Sequence, residues 1–123
     1  SEGKWNIGGK YALFLVLHNR RVLMITTSDT VKITDGSIVR FVAPDIEVTP
    51  RLNTVTGETT ARIDCLDTNA ISVGVTEYYY TKPEIAAFTG SGANDVETYQ
   101  NAVEQAVKDT LETLNVSATF TIV

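Results

Sequence analysis

Reactive side chains are scarce in this sequence. Its 123 residues include one Cys, one His, one Trp and one Met. A single cysteine excludes an internal disulfide and a thiolate cage for zinc or iron–sulfur, and a single histidine excludes a metal site built from several imidazoles. We therefore expect neither a metal nor any other cofactor, and nothing places the chain in an oxidising compartment.

Motifs that carry catalysis are also missing. Residues 90–92 (GSG) precede a predicted helix, but no phosphate-loop lysine follows them, and Asp95 and Glu97 would repel an anion there. His18 lies beside two arginines in a polar turn. Cys65 falls on the apolar face of a predicted strand, with no base nearby in the sequence. These absences predict that the chain is not an enzyme.

No long hydrophobic run is present either. The most apolar stretch, residues 11–17 (YALFLVL), has seven residues, whereas a membrane-spanning helix needs ~20. A polar and basic stretch follows it, where a signal peptide would have small residues before its cleavage site. We therefore expect no signal peptide and no membrane contact.

β-favouring residues, in contrast, are abundant. The chain contains 14 Val, 9 Ile and 18 Thr, which predicts that it is mostly sheet. Residues 11–17 and 22–26 are apolar runs that predict a buried hairpin. Residues 31–33 and 37–42 flank an Asp-Gly pair at residues 35–36, which predicts a second hairpin with a tight type I′ turn.

The middle of the chain continues in the same way. Pro44 and Pro50 indicate an edge strand or a strand that begins at a bend, because proline cannot donate to a ladder. A turn at residues 56–58 leads into a strand over residues 59–66, one face of which is apolar.

Residues 70–80 (AISVGVTEYYY) predict a long strand with two different faces. The predicted apolar face carries Ile71, Val73 and Val75. The predicted polar face carries Ser72, Gly74, Thr76, Tyr78 and Tyr80.

The sequence predicts one long helix, over residues 95–114. Asn94 is a suitable N-cap, and acidic residues in the first turn oppose the helix dipole. Apolar residues recur at spacings of three and four and form a single stripe. The stripe consists of Val96, Tyr99, Val103, Val107, Leu111 and Leu114. Residues 116–123 return to a period of two and predict a final strand.

These elements predict a single domain over residues 1–123 with an α+β fold. The predicted sheet is mostly antiparallel and has six to eight strands, and the amphipathic helix near the C-terminus precedes the final strand. A helix of ~30 Å covers roughly three or four strands, so apolar strand surface is left over. We therefore expect association with further copies of the chain, and we expect the helix stripe to contribute to that interface.

The charge is unevenly distributed along the chain. Residues 1–62 carry eight basic and six acidic side chains, whereas residues 63–123 carry two and nine. Lys32, Arg40 and Arg62 lie on predicted sheet elements. Together with Tyr78 and Tyr80, they predict a face that could hold phosphates and stack unpaired bases of a single-stranded nucleic acid. An ordinary exposed sheet face would have the same residues.

The order of elements resembles that of small virion proteins, especially the coat proteins of single-stranded RNA bacteriophages. The strand over residues 70–80, the polar stretch 81–84 and the helix over residues 95–114 correspond to the last strand, linker and helix of that family. The resemblance implies that two chains pair with their helices crossing the partner's sheet, while the opposite face of the sheet looks toward the RNA. It also implies a location in the virion, and in the host cytoplasm during assembly.

Two features depart from that pattern. The glycine-rich segment before the helix is extra, and residues 116–123 are a predicted strand where the family has a second helix. With these two features, the chain is also similar to a phage tail-tube or connector subunit. The leading hypothesis is thus a self-assembling coat subunit. The alternatives are a tail-tube or connector subunit, a monomeric β-domain that binds single-stranded nucleic acid, and a β-barrel that binds a small ligand in an internal apolar cavity.

Overall fold

A five-stranded antiparallel sheet forms the centre of the molecule. The computed structural model describes residues 22–89 and 95–123. Its elements are β1 (Leu23–Thr26), β2 (Thr30–Val31), β3 (Phe41–Val42), β4 (Asp45–Leu52), β5 (Thr59–Leu66), β6 (Ser72–Tyr80), α1 (Lys82–Ala86), α2 (Asp95–Leu114) and β7 (Thr121–Ile122). The sheet order is β6-β5-β4-β1-β7, and β2 and β3 form a separate pair. The predicted α+β architecture, with a long C-terminal helix and a final strand, is confirmed.

Strict alternation of side chains creates one dry face of the sheet. Ile25, Ile46 and Ile63 are completely buried on neighbouring strands, and α2 packs its own buried residues against them. The partners of the sheet residues from α2 include Val103, Val107 and Leu111. The β2–β3 pair packs on the same face, where the Phe41 ring of β3 occupies the space that a side chain at position 74 would need.

β1 lies inside the sheet, between β4 and β7. Ile25 pairs with Ile46 of β4 on one side and with Ile122 of β7 on the other. The hairpin predicted with residues 11–17 stays a prediction. Those residues themselves lie outside the described part of the chain, as do His18, the glycine-rich residues 90–92 and the predicted N-cap Asn94.

The proline-flanked strand is an interior strand that begins at a bend. β4 follows Ala43, whose φ of 43° is left-handed, and Pro44. β4 pairs with β5 along its whole length but with β1 only over residues 45–48, so Pro50 lies beyond the described pairing with β1. Proline is tolerated at position 50 because no backbone N–H is needed there for pairing with β1.

The predicted turn at residues 35–36 is present, since the Ser37 N–H donates to the Thr34 carbonyl (3.4 Å), and the two flanking strands do pair. The turn is not of type I′, because Gly36 has a positive φ but Asp35 does not. β2 and β3 join through Thr30–Val42 and Val31–Phe41, with a long connection between them. The Lys32 N–H donates to Asn115 Oδ1 (2.9 Å), and the Asn115 amide donates to the Lys32 carbonyl (2.8 Å). The backbone at Lys32 is thus bonded to the end of α2 instead of across a tight hairpin.

The two faces of β6 are the reverse of those predicted. Gly74, Thr76 and Tyr78 are half-buried and face the core, whereas Val73 and Val75 are exposed. Gly74 provides the space that the Phe41 ring fills, and the tyrosines supply apolar ring surface with a polar tip. The alternation of β6 was predicted correctly from Val73 to Tyr80, but its orientation was not, and Ser72 and Val73 are both exposed where the register shifts.

Candidate functional site

The two tyrosines proposed to stack nucleic-acid bases point into the molecule. Tyr78 donates a hydrogen bond to the Ile33 carbonyl (2.5 Å), and Tyr80 bonds to Thr110 Oγ1 on α2 (2.7 Å). Their rings meet edge to face with centroids 6.5 Å apart. Burial raises the pKa of Tyr80 to about 12, and it raises the pKa of Tyr78 as well. Both side chains therefore join the sheet to the layer above it.

The three basic residues of the same hypothesis lie elsewhere. Arg62 is on the outer face of β5, with its guanidinium 3.9 Å from the Asp64 carboxylate. Arg40 lies in the connection between β2 and β3, where it donates to the Ser37 carbonyl (2.7 Å). Lys32 begins that connection at the end of α2. The structure therefore places the three basic residues on different elements. Tyr78 bonds to the backbone of the residue after Lys32, and both tyrosines lie on the opposite face of the sheet from Arg62.

The helix stripe is covered by the chain itself. Val96, Tyr99, Val103, Val107 and Leu111 are all buried, and Tyr99 shares a hydrogen bond with Thr59 of β5 (2.9 Å). Leu114, the last residue of the stripe, is half-buried. The stripe accounts for packing within one copy, and its contribution to an interface between copies stays a prediction.

Strand β6 is the candidate assembly site of the molecule. It has nine residues, and in the described ranges it pairs only with β5. In the part of the chain that the structure describes, alternate N–H and C=O groups along its other side therefore have no partner strand. Three apolar side chains project from its outer face: Val73 and Val75 are each 48 % exposed, and Tyr79 is 72 % exposed.

Most of the usual protection of a strand edge is missing from β6, although a register shift beside Cys65 and Leu66 leaves Val73 without a partner in β5 near the start of the strand. Natural edge strands are shielded by lysines, prolines, bulges in the strand or a short length. Within Ser72–Tyr80 the sequence has no Lys and no Pro, and its only charged residue is Glu77. Lys82 and Pro83 come only after the strand has ended. The edge position itself was missed from the sequence, because pairing order cannot be read from a single strand's pattern.

A cleft of about 480 Å³ lies at one end of the molecule. The β4–β5 hairpin, α1 and the first turns of α2 surround it. Its apolar lining consists of Leu52, Val55, Ile85, Ala86, Tyr99 and Ala102. Lys82 and Asp95 also line this cleft, so both signs of charge are present.

Groups that could carry metal or nucleophilic chemistry give no further site in the described ranges. No cluster of three or more His, Cys, Asp or Glu side chains in residues 22–89 and 95–123 could hold a metal ion. Cys65 is completely buried, and burial raises the pKa of its thiol to about 12, so the reactive thiolate is scarcely populated. Among the helices described, none combines the length and the apolar character needed to cross a membrane.

Comparison with known proteins identifies no relative: no protein-family profile, curated protein or solved structure matches this chain.

Proposed function

We propose that this chain is a non-enzymatic structural subunit that assembles with copies of itself, as the coat or tail-tube subunits of a bacteriophage do. The observation that supports the proposal is the long edge of β6, which has no Lys or Pro and bears exposed apolar side chains. A strand of this kind is a template for a further strand, and a monomeric protein normally blocks it.

A second copy of β6 is a suitable partner for this edge. Two copies related by a two-fold axis perpendicular to the sheet pair antiparallel and keep their outer faces on the same side. Residues whose side chains point to the outer face are then paired only with residues of the same face in the second copy. Because side chains alternate along a strand, this requires the two-fold axis to pass through a residue and not between two residues. Both helices would lie on the same face of the joined sheet.

The side chains of β6 favour an axis through Thr76. This register places Val73 opposite Tyr79 of the second copy, and such pairs of a β-branched and an aromatic residue are stabilising. It also places the small Gly74 opposite the large Tyr78 on the inner face. An axis through Glu77 would instead place two carboxylates directly opposite each other, which is destabilising.

Size-exclusion chromatography with light scattering tests the proposal. We expect the native chain at micromolar concentration to elute as a dimer or a larger species. A stable, fully folded monomer under these conditions would contradict the proposal.

A pair of charge variants tests the register. Val73→Glu with Tyr79→Glu creates two like-charge pairs across the interface, whereas Val73→Lys with Tyr79→Glu creates two opposite-charge pairs and removes the same apolar contacts. We expect the dissociation constant of the first variant to exceed that of the second by roughly tenfold. Both residues are exposed, so the fold should survive in both variants. Equal dissociation constants would exclude an axis through Thr76.

A further inference from the structure

We propose that the outer face of the sheet, which is the face opposite α2, is a second self-association surface, on which two copies stack face to face with their strands in opposite directions. The inference rests on the proposed function in that its partner is a second copy of this chain. It adds an interface that the β6 pair leaves open, because that pair keeps both outer faces on the same side.

The charges on the outer face are divided between its two ends. Three carboxylates lie toward one end of the strands, and two guanidinium groups with one carboxylate lie toward the other end. The first group consists of Asp45, Glu47 and Asp64, and the second group consists of Arg51, Arg62 and Glu77. One end of this face is therefore strongly acidic, and the other end is weakly basic.

This division of charge selects one of two symmetric ways to stack the faces. A two-fold axis parallel to the strands would place the acidic end of one copy on the acidic end of the other. An axis perpendicular to the strands, in the plane between the sheets, places the acidic end on the basic end. The second arrangement is the favourable one, and each strand then lies over the same strand of the second copy in the opposite direction.

The pairing register of the sheet locates this axis. Val48, Ile63 and Thr76 are directly opposite one another on β4, β5 and β6 and form a row across the sheet. An axis along this row places Asp45 over Arg51 of the second copy, because each lies three residues from Val48. Stacked sheets are normally rotated by about 30°, and the long arginine side chain can reach its partner despite that rotation.

The other outward residues match about the same axis. Asp64 lies over Arg62 of the second copy, because these two residues flank Ile63. Val73 lies over Tyr79 of the second copy, and both side chains are exposed and largely apolar. Each contact occurs twice by symmetry, so opposite charges and apolar side chains both contribute to the interface.

A shift of the axis by one residue removes this match. In one direction Arg62 would lie over Arg62 of the second copy, and in the other direction Asp64 would lie over Asp64. Like charges that face each other across an interface are destabilising. The charges therefore select both the direction of the axis and its position.

The two proposed interfaces are compatible with each other. The axis of the β6 pair passes through Thr76, which belongs to the row that carries the second axis. The two axes therefore cross at right angles, and the two contacts together close at four copies. In this tetramer the joined sheets pack ~10 Å apart, with the α2 helices on the outside. A shell or a tube would use this tetramer as its building block.

Charge reversal at Asp45 and Arg51 tests the contact. The two residues are six positions apart on one strand, which is ~20 Å, so they cannot reach each other within one copy. Asp45→Arg or Arg51→Asp alone places like charges opposite each other at two points of the interface, whereas the double variant restores both opposite-charge pairs. We expect each single reversal to raise the dissociation constant of the tetramer into dimers by roughly tenfold, and the double variant to return close to the native value. Light scattering over a range of concentrations measures it.

A matched control accounts for the change in net charge. Arg40→Asp alters the charge as Arg51→Asp does, but it lies in the exposed connection before β3, so the dissociation constant should stay unchanged. Asp45 and Arg51 are also exposed, so the fold should survive in every variant, and circular dichroism checks this. Equal effects of the single and the double reversals would overturn the inference.

These variants also separate the inference from the proposed function, because β4 lies two strands away from the β6 edge. A native chain that stops at a dimer, and whose dissociation constant the reversals leave unchanged, would overturn the face contact and keep the β6 pair. A dimer that responds to the reversals, while its β6 amides exchange as fast as in the monomer, would keep the face contact and contradict the β6 pair. A stable, fully folded monomer would contradict both.

Discussion

Three tyrosine hydroxyls connect the sheet with the layer that covers it. Tyr80 bonds to Thr110 on α2, Tyr99 of α2 bonds to Thr59 on β5, and Tyr78 donates to the Ile33 carbonyl. These hydroxyls are shielded from bulk water, so each of them would destabilise the fold if it had no hydrogen-bond partner. A well-formed hydrogen bond of this kind contributes about 1 kcal/mol to stability. At the residue scale, these bonds fix how α2 and the β2–β3 pair lie on the sheet.

Removal of one such hydroxyl should lower the stability of the fold. We expect Tyr80→Phe to reduce the free energy of unfolding by about 1 kcal/mol, because the bonds of this hydroxyl to Thr110 Oγ1 and to the Ala106 carbonyl are lost while the ring remains. Tyr79→Phe is the matched control, since Tyr79 is exposed and its hydroxyl donates to Glu77, two positions earlier on the same strand. Urea denaturation followed by circular dichroism measures both; equal effects would contradict the assignment.

The buried tyrosines also predict how stability depends on pH. Burial raises the pKa of Tyr80 and Tyr99 to about 12, from an ordinary value of 10.0. Their contribution to stability is complete below pH 10, and it is lost as the pH rises toward 12, because the unfolded chain releases these protons first. We expect the free energy of unfolding to fall over this interval, and to fall less steeply in Tyr80→Phe. Identical slopes in the two proteins would contradict the burial of Tyr80.

The orientation of β6 shows what residue patterns could not reveal. Val73 and Val75 alternate with Gly74 and Thr76, so hydropathy alone placed the valines inside. In the structure, the Phe41 ring needs the space at Gly74, and Tyr78 bonds to Ile33, so the face with Gly74, Thr76 and Tyr78 points to the core. Both contacts join segments more than 30 residues apart, and a local pattern has no information about them.

At the scale of elements, the end of α2 is held by a single side chain. Asn115 accepts from the Lys32 N–H, and its amide donates to the Lys32 and Leu111 carbonyls. The side chain thus caps the helix and also positions the β2–β3 connection. The strong helix was predictable from its stripe and its acidic first turn, but this junction joins residues 83 positions apart.

Truncation of Asn115 should therefore weaken two elements together. We expect Asn115→Ala to lower the free energy of unfolding by about 1–3 kcal/mol, because backbone groups at Lys32 lose their partners. Val116→Ala, at an exposed neighbouring position, should have little effect. Chemical denaturation compares the two variants, and hydrogen exchange should show faster exchange at Lys32 only in the first. Equal stabilities would mean that the Asn115 bonds do not hold this junction.

At the scale of the whole molecule, the two sides of the sheet differ. One face is covered by α2, α1 and the β2–β3 pair, whereas the other face and the β6 edge have no cover within the described ranges. The predicted excess of strand surface over helix surface is consistent with this arrangement. The residues proposed for nucleic-acid binding are divided between the two faces and a loop, so the placement favours assembly over a monomeric nucleic-acid-binding domain as the proposed function.

Backbone hydrogen exchange along β6 tests the central claim, the pairing of this edge with a second copy, most directly. The exchange of individual amides is followed at protein concentrations above and below the point at which light scattering detects association. We expect alternate amides of Ser72–Tyr80 to become more protected as the concentration rises, while the amides in the middle of α2 stay unchanged. Protection in β6 that is the same at every concentration would contradict the account.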